Sequence, residues 1–194
     1  MTKRVFVVHG WGVSPESEWR PWLKRELEQK GFAVCLVHMP TPDAPEIKTW
    51  VGALKKAVSQ PDKETFFVGH SIGCQTILRY LESMSKGLQI GGVVLVAAWF
   101  TLSDEIKADT EQVRIAIPWL ETSIDLDKVC KHTEQFVAFL SDNDPWVPLA
   151  ENKELFERFA KVIVEHNKGH YDADCGITQV PQVLREVVNM ACEQ

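Results

Sequence analysis

Short apolar runs alternate with amphipathic stretches along the whole chain. The runs are continuous and rich in β-branched residues, which is typical of strands, at residues 4–9, 32–38, 65–69, 90–97, 135–140 and 161–165. The stretches between them repeat apolar residues at helical spacing, at residues 16–30, 46–59, 74–85, 149–159 and 180–191. Strands that are apolar throughout and are joined by helices predict a doubly wound, mostly parallel sheet. The pattern therefore predicts an α/β fold with helices on both faces of the sheet.

The connection between the fourth and fifth predicted strands is longer than the others. It covers residues 99–132, whereas connections in compact α/β domains are usually short. Long connections are often functional, so we expect residues 99–122 to form a lid or a wall of a pocket. The chain of 194 residues has the length of one domain with a sizeable core, and we expect a single domain over residues 1–194.

Composition and charge narrow the class of function. Apolar residues make up 45% of the chain and charged residues 25%, which is typical of a soluble globular protein. The net charge is −6, with acidic and basic residues interspersed, so we expect neither nucleic acid nor a membrane as a partner. From the short apolar run near residue 4 we expect no export signal, and no apolar run in the sequence reaches about 20 residues, the length that a membrane span needs.

The cysteines favour a reducing compartment. Their number is odd, and no pair has the C-x-x-C spacing of a redox or metal motif. We therefore expect free thiols in a cytoplasmic protein. The five residues are Cys35, Cys74, Cys130, Cys175 and Cys192.

The strongest chemical motif lies between the third predicted strand and the helix after it. Residues 69–73 read Gly-His-Ser-Ile-Gly, and a strand before and a helix after are the context that a G-x-S-x-G nucleophile elbow requires. The serine of such an elbow is strained, and side chains at the flanking glycines would collide with neighbouring atoms. The motif predicts Ser71 as a nucleophile. Three fixed positions also match by chance, so the assignment depends on a base and an acid elsewhere.

An acid and a histidine should follow the serine, in that order, after later strands. Asp144 follows the fifth strand and His170 follows the sixth, and we predict them as the acid and the base. We interpret Asp142 as an ordinary turn residue. His166 and His170 have a spacing that binds zinc on a helix, but Gly169 argues against a helix there, so we expect no metal.

Two backbone N–H groups are candidates for an oxyanion hole. The N–H of Ile72 opens the helix after the nucleophile, and the N–H of Trp11 lies in the glycine-rich turn after the first strand. A plain turn without a catalytic role is the alternative for the second. Aromatic residues at strand ends or in the irregular stretch are candidates for an apolar pocket, namely Trp11, Trp99, Phe100, Trp119, Trp146 and Tyr171.

The remaining histidines and one cysteine have simpler interpretations. We expect His9 and His70 to pack and form hydrogen bonds beside the site. His38 and His132 are expected to be partly exposed. Cys74 follows Ser71 on the same helix and is interpreted as a small buried residue, not as a rival nucleophile.

Taken together, these motifs resemble the small α/β-hydrolases of the retinoblastoma-binding protein 9 family over nearly the whole chain. The motifs are Val-Val-His-Gly-Trp-Gly at 7–12, Met-Pro-Thr-Pro-Asp-Ala at 39–44, the elbow at 68–73, Val-Val-Leu-Val-Ala at 93–97, Pro-Trp at 118–119, Asp-Asn-Asp-Pro-Trp-Val-Pro at 142–148 and Gly-His at 169–170. The resemblance implies a minimal α/β-hydrolase fold, for which we expect six strands in the order 2-1-3-4-5-6. It also implies a triad on Ser71, Asp144 and His170, esterase activity on small acyl esters, and no cofactor.

The sequence leaves three functions open. The leading hypothesis is a serine carboxylesterase that forms an acyl-enzyme with a small-molecule acyl substrate. A peptidase or amidase with the same triad is the second, because the acyl-enzyme chemistry is shared. The third is a protein-binding module that keeps the fold without turnover. Either a monomer or a homodimer is compatible with the sequence. The first loop and residues 99–122 depart from many relatives, so the resemblance does not transfer a substrate.

Overall fold

Six parallel strands form one sheet through the centre of the protein. In chain order they are β1 (Arg4–Val8), β2 (Ala33–Val37), β3 (Thr65–His70), β4 (Gly92–Val96), β5 (Phe136–Ser141) and β6 (Lys161–Glu165). Their order in the sheet is β2-β1-β3-β4-β5-β6, and every neighbouring pair is parallel. The predicted fold class and strand order are confirmed. The structure, a computed structural model, describes residues 2–104, 106 and 110–192.

Helices cover both faces of this sheet. The described helices are α1 (Arg20–Gln29), α2 (Ile47–Val58), α3 (Ile72–Glu82), α4 (Thr110–Glu121), α5 (Leu126–Val129), α6 (Leu149–Phe156) and α7 (Pro181–Cys192). Helices α1 and α7 pack on one face, and the others contribute side chains to the core on the opposite face. No helix within these residues is both long and apolar enough to cross a membrane.

Alternate residues of the central strands contribute to two separate cores. Val5 and Val7 of β1 belong to the cluster beneath α1 and α7, whereas Phe6 and Val8 belong to the cluster on the other face. This division follows from the period of two in a strand. Because both faces are covered by helices, the central strands are apolar throughout, as in the sequence.

The first helix begins later than its apolar pattern predicts. The pattern predicts a helix over residues 16–30, but α1 begins at Arg20 and has Pro21 in its first turn. Proline is favoured there because its missing N–H and fixed φ suit the start of a helix. Glu18 has a φ of 57°, which is incompatible with a helix, so residues 14–19 form turns beside the site instead.

The long connection after β4 contains helical structure that the pattern did not predict. Helix α4 carries Pro118 in its interior, a residue that normally argues against a helix. The buried guanidinium of Arg79 on α3 donates from Nη2 to the carbonyl oxygens of Trp119 (2.8 Å) and Thr122 (2.7 Å). The end of α4 is therefore anchored to α3. Within the predicted 99–122 segment, residues 105 and 107–109 lie outside the described part of the chain.

Candidate active site

Ser71 lies on a sharp turn between β3 and α3. Its φ of 52° and ψ of −121° are rarely adopted by residues other than glycine. The turn is held by two backbone hydrogen bonds, from Ser71 N–H to the Val96 oxygen and from Cys74 N–H to the Ser71 oxygen, each 2.9 Å long. The side chain therefore stands at the carboxyl edge of the sheet, where the loops after the other strands converge.

The two glycines of the elbow are required by close contacts. A Cβ on Gly69 would lie 2.9 Å from Cα and N of Cys74, and a Cβ on Gly73 would lie 2.5 Å from the carbonyl oxygen of Val8. The Gly73 contact is the more severe, because it joins α3 to the backbone at the end of β1, which cannot rotate away. The spacing of the motif thus reflects how tightly this helix approaches the sheet.

Replacing Gly73 by alanine is expected to destabilise the fold. The added methyl group would lie 2.5 Å from the Val8 oxygen, closer than real Cβ atoms approach other atoms, so the backbone of β1 or α3 must shift. Overpacking of this kind costs about 1–3 kcal/mol, and in a chain of this size each kcal/mol lowers Tm by about 2–4 °C. Thermal unfolding of the Gly73→Ala variant measures this loss.

Gly52→Ala is the matched control for that variant. Gly52 lies inside α2, and nothing lies within 4 Å of the position that its Cβ would take. Alanine is the better helix former by about 1 kcal/mol, so the Tm of this variant should be unchanged or raised. Equal Tm values for the two variants would contradict the steric account of Gly73.

The carboxylate of Asp144 and the imidazole of His170 form a buried pair. His170 Nδ1 lies 2.8 Å from Asp144 Oδ2, and the two side chains are 7% and 2% exposed. The other oxygen of Asp144 accepts from the backbone N–H groups of Trp146 (2.9 Å) and Val147 (3.1 Å). Because a carboxylate only accepts, His170 Nδ1 carries a proton, and Nε2 is the free position of the neutral ring.

Hydrogen bonds join the loop after β5 directly to the loop after β6. Asn143 Oδ1 accepts from the backbone N–H of Gly169 at 2.8 Å. Asp142 accepts from the N–H of Asn167 at 2.9 Å and lies 2.5 Å from Nδ1 of His166. Asp142 lies in a turn outside the cavity lining, in agreement with its interpretation as a turn residue, and its carboxylate also connects this turn to the loop after β6. Since His166 and His170 contact different carboxylates, they do not converge on one point.

The turn after β1 presents its backbone beside Ser71. A Cβ on Gly10 would lie 3.6 Å from Cβ of Ser71 and 3.1 Å from Nδ1 of His70. Nδ1 of His9 lies 2.7 Å from the carbonyl oxygen of Gly10. In a trans peptide the C=O and the next N–H point to opposite sides, so the N–H of Trp11 points away from His9. His9 thus orients this peptide, and burial lowers the pKa of its ring.

The two candidate oxyanion donors border the same space. Ile72 is the first residue of α3, and the first N–H groups of a helix have no acceptor within it. Trp11 lies across from it on the first loop, which is held by hydrogen bonds from Gly12 N–H to the Pro42 oxygen and from Trp11 Nε1 to the Asp43 oxygen. Both residues line the cavity that contains Ser71.

One cavity of about 640 Å³ brings these groups together. Its volume is within the usual range for small-molecule sites. Ser71 and His170 lie on its wall with Trp11 and Ile72. The rest of the lining contains both apolar or aromatic residues and carboxylates, including Trp99, Leu102, Ile106, Ala116, Trp146, Glu18, Asp172 and Asp174.

Comparisons with known proteins give the family. A family model described as serine hydrolase matches residues 5–189. The chain is a serine hydrolase of that family. It is similar to YdeN of Bacillus subtilis, with 29% identity over 184 residues that cover 94% of this chain and 93% of YdeN. It is also similar to serine hydrolase RBBP9 of Rattus norvegicus, with 27% identity over 193 residues, 97% of this chain and 95% of RBBP9. The family resemblance in the sequence is confirmed.

Solved structures agree with this assignment. The crystal structure of the ydeN gene product of B. subtilis superposes with a TM-score of 0.88 at 26% identity, covering 98% of this chain and 100% of that one. The α/β-hydrolase fold of this serine hydrolase is therefore shared with that relative from end to end.

The aromatic pocket of the serine hydrolase differs from the prediction. Trp99 and Trp146 line the cavity, as predicted. Trp119 does not, because its ring is 1% exposed, packs on Trp50 and donates from Nε1 to the Pro45 oxygen at 3.0 Å. Phe100 packs on Phe156 with ring centroids 4.7 Å apart, on the side of α6.

Tyr171 is also absent from the cavity lining of the serine hydrolase. It is fully buried in the core beneath α1 and α7. Its hydroxyl lies 3.2 Å from the Leu140 oxygen and 3.1 Å from Glu165 Oε2. Burial and the carboxylate raise the pKa of Tyr171, so its hydroxyl stays protonated. Tyr171 thus fixes the loop that carries His170 without facing the cavity.

Several cavity residues were not named individually by the sequence analysis, for identifiable reasons. Leu102, Ile106 and Ala116 lie in the 99–122 segment that was expected to form a lid or a pocket wall, but no element was predicted there from which single residues could be chosen. Glu18 was assigned to a helix that begins only at Arg20, and Pro21 was the available signal for that boundary.

Two other expectations concern buried polar groups. Cys74 is 1% exposed and burial strongly raises the pKa of its thiol, so it is a packing residue as predicted. His38 is exposed, but His132 is 3% exposed and its Nδ1 lies 2.8 Å from the Leu88 oxygen, so its expected partial exposure was wrong.

Among the residues that the structure describes, no group of three or more metal-ligating side chains could hold a metal ion.

Proposed function

We propose that this serine hydrolase cleaves small carboxylic esters with apolar acyl groups, through an acyl-enzyme on Ser71. The observation that carries the proposal is the placement of Ser71 on a strained turn, in one cavity with His170, whose Nδ1 is bound to buried Asp144. Nucleophile, base and acid of this type are sufficient for acyl transfer to water. The reactants are the ester and water, and no cofactor is needed.

His170 moves the proton in this mechanism. With Nδ1 bound to Asp144, Nε2 accepts the proton of the Ser71 hydroxyl as its oxygen attacks the ester carbonyl. The carboxylate of Asp144 stabilises the imidazolium that forms. His170 then donates the proton to the departing alcohol, and in the second half of the reaction it activates a water molecule that hydrolyses the acyl-enzyme.

The backbone N–H groups of Trp11 and Ile72 are the proposed oxyanion donors. Ile72 N–H stands at the positive end of the α3 dipole, next to the attacking oxygen. The Trp11 N–H is turned away from His9 by the hydrogen bond to the Gly10 oxygen. Donors of this kind contribute most when they are fixed before the charge develops, and removing one typically costs about 10²–10³ in rate.

The apolar side chains that line the cavity, here called the apolar wall and including Trp99 and Ala116, favour an apolar acyl group. Trp99 and Ala116 are almost fully buried in the core on the face of α2 and α3, and they also line the cavity near Ser71. Each methylene group that this wall covers is worth about 0.8 kcal/mol. We therefore expect esters with acyl groups of several carbons to be hydrolysed with a higher kcat/KM than acetate esters.

The acyl-chain preference of purified enzyme tests this function. On p-nitrophenyl esters, kcat/KM is expected to rise from acetate through butyrate by up to about fourfold per methylene. In the Ala116→Leu variant the rise should stop at a shorter chain, because the larger side chain occupies part of the cavity, while acetate hydrolysis is retained.

Ile117→Leu is the matched control for that variant. Ile117 precedes Pro118 on the same helix but is 38% exposed and does not belong to the cavity lining. Its chain-length profile should equal that of the wild type. An enzyme that cleaves an acyl p-nitroanilide but none of the esters would contradict the ester assignment in favour of an amidase.

A further inference from the structure

His70 lies where three loops of the site meet. It ends β3 immediately before Ser71, and its side chain is 3% exposed. Its Nδ1 is close enough to Gly10 that a Cβ there would lie 3.1 Å away. Its ring centroid is 5.3 Å from that of His170 and 5.7 Å from that of Trp19. His70 therefore touches three segments at once. These are the loop after β1, the elbow at residues 69–73, and the loop after β6 that carries His170, here called the histidine loop.

The hydrogen bonds of the His70 ring define its protonation. Nε2 lies 2.8 Å from the backbone carbonyl oxygen of His170. A carbonyl oxygen only accepts, so Nε2 carries the proton and donates. On the other side, Nδ1 lies 3.5 Å from Nη1 of Arg20, a group that only donates. The two contacts together require a neutral ring with its proton on Nε2.

A buried ion pair stabilises this state of His70. Arg20 is fully buried, and its Nη1 lies 2.6 Å from Glu18 Oε2. Glu18 Oε2 is 4.0 Å from His70 Nδ1, so the guanidinium is the nearer charge. Burial, followed by the charges of His170 and Arg20, holds the pKa of His70 well below its usual value. The charged and titratable groups around the ring are thus Glu18, Arg20, His170 and, at longer range, His9.

The histidine loop depends on such outside contacts. Gly169 and Tyr171, on either side of His170, have φ values of 51° and 56°. Consecutive bends of this kind cannot form a regular hydrogen-bonded element, so the loop is fixed by its neighbours. Asn143 Oδ1 accepts from Gly169 N–H, His70 donates to the His170 oxygen, and Trp19 Nε1 donates to the Tyr171 oxygen at 2.8 Å.

We propose that His70 is a positioning residue for the general base of the proposed reaction. Its Nε2–H fixes the main chain of His170, and Arg20 keeps that proton on Nε2. Asp144 fixes the ring, so His170 is held at two points, its main-chain oxygen and its Nδ1. The residue before the nucleophile thereby sets the distance between nucleophile and base. This inference rests on the proposed Ser71–His170 chemistry.

His70→Met and His70→Gln separate positioning from packing. Glutamine places an amide near the position of Nε2 and can donate to the His170 oxygen, whereas methionine has similar length and no donor. We expect kcat of His70→Met to fall about 10- to 100-fold, because small misplacement of a catalytic group has effects of this size. His70 borders the cavity, but its side chain is only 3% exposed, so KM should change by less than about threefold. His70→Gln should recover kcat to within about fivefold of the wild type.

His132→Met is the matched control. His132 is also buried, and its Nδ1 bonds a backbone carbonyl, that of Leu88, at 2.8 Å. It lies outside the cavity lining, so its loss should lower Tm and leave kcat unchanged. Wild-type kcat in His70→Met, or equal kcat in the Met and Gln variants, would overturn the inference. Full activity in Ser71→Ala would instead overturn the proposed function on which it rests.

Ring-nitrogen NMR of the wild-type enzyme tests the same inference without a variant, should His70→Met fail to fold. Long-range ¹H–¹⁵N spectra distinguish the two tautomers of each histidine. We expect His70 to show protonated Nε2 and unprotonated Nδ1 at neutral pH, because Nε2 donates to the His170 oxygen and Nδ1 faces Arg20. A proton on Nδ1 at neutral pH would overturn the proposal.

Discussion

Replacing Ser71 by alanine is expected to lower ester hydrolysis by about 10³- to 10⁶-fold. In the proposed mechanism the side chain supplies the oxygen that attacks the carbonyl. Cys74 is no substitute, because it is not part of the cavity lining, its thiol is buried and its pKa is strongly raised. Any residual rate comes from the oxyanion donors and from substrate binding, which are left in place. Steady-state kinetics on p-nitrophenyl butyrate, with enzyme concentration fixed by absorbance, measures the loss.

Ser85→Ala serves as the control for this variant. Ser85 follows α3 and is exposed, far along the chain from the elbow. Its substitution should leave kcat/KM unchanged. Unfolding curves should be similar for both variants, because Ser71 makes its described turn contacts through its backbone. Activity retained by Ser71→Ala would show that another group attacks the ester.

Replacing Asp144 by asparagine is expected to lower kcat by about 10³- to 10⁴-fold. The side-chain oxygen of asparagine would keep the two hydrogen bonds from Trp146 N–H and Val147 N–H, which turns the amide NH₂ toward His170. Nδ1 of His170 must then accept, and the ring proton moves to Nε2. A protonated Nε2 cannot take the proton of Ser71, so the base is lost while the geometry is retained.

Asp142→Asn provides the comparison for Asp144→Asn. Asp142 also accepts a backbone N–H and contacts a histidine, but that histidine, His166, is 84% exposed and lies outside the cavity lining. Its kcat should stay within about threefold of the wild type, because solvent-exposed pairs contribute little. If the two substitutions had equal effects on kcat, Asp144 would have only a structural role.

The fold was predictable from the sequence because both faces of the sheet are covered. Continuous apolar strands such as β1 and β4 can only be buried on two sides, and the helices between them determine the parallel arrangement. Chain order and position after a strand predicted Ser71, Asp144 and His170. The fold brings these positions to one edge of the sheet. Strand ends at one edge of a parallel sheet meet regardless of their separation in sequence.

The remainder of the site depends on contacts that no local pattern reports. Trp119 and Phe100 are large aromatic residues of the kind that lines apolar pockets. They pack instead on rings distant in sequence, Trp50 and Phe156, and neither lines the cavity. His70 and Arg20 are fifty residues apart and meet only in the folded chain, where α1 and β3 contribute to the same core. The contacts of the turn residue Asp142 were not predictable for the same reason, since its partners lie on the loop after β6.

Covalent labelling with a fluorophosphonate tests the central claim most directly. The probe reacts with a serine only when a base activates it and an oxyanion site stabilises the addition. We expect the intact mass of the wild-type enzyme to increase by one probe, with tandem mass spectrometry locating it on Ser71. The folded Ser71→Ala variant should remain unlabelled. A folded wild-type protein that stays unlabelled, or that carries the probe on another residue, would contradict the assignment of Ser71 as the nucleophile.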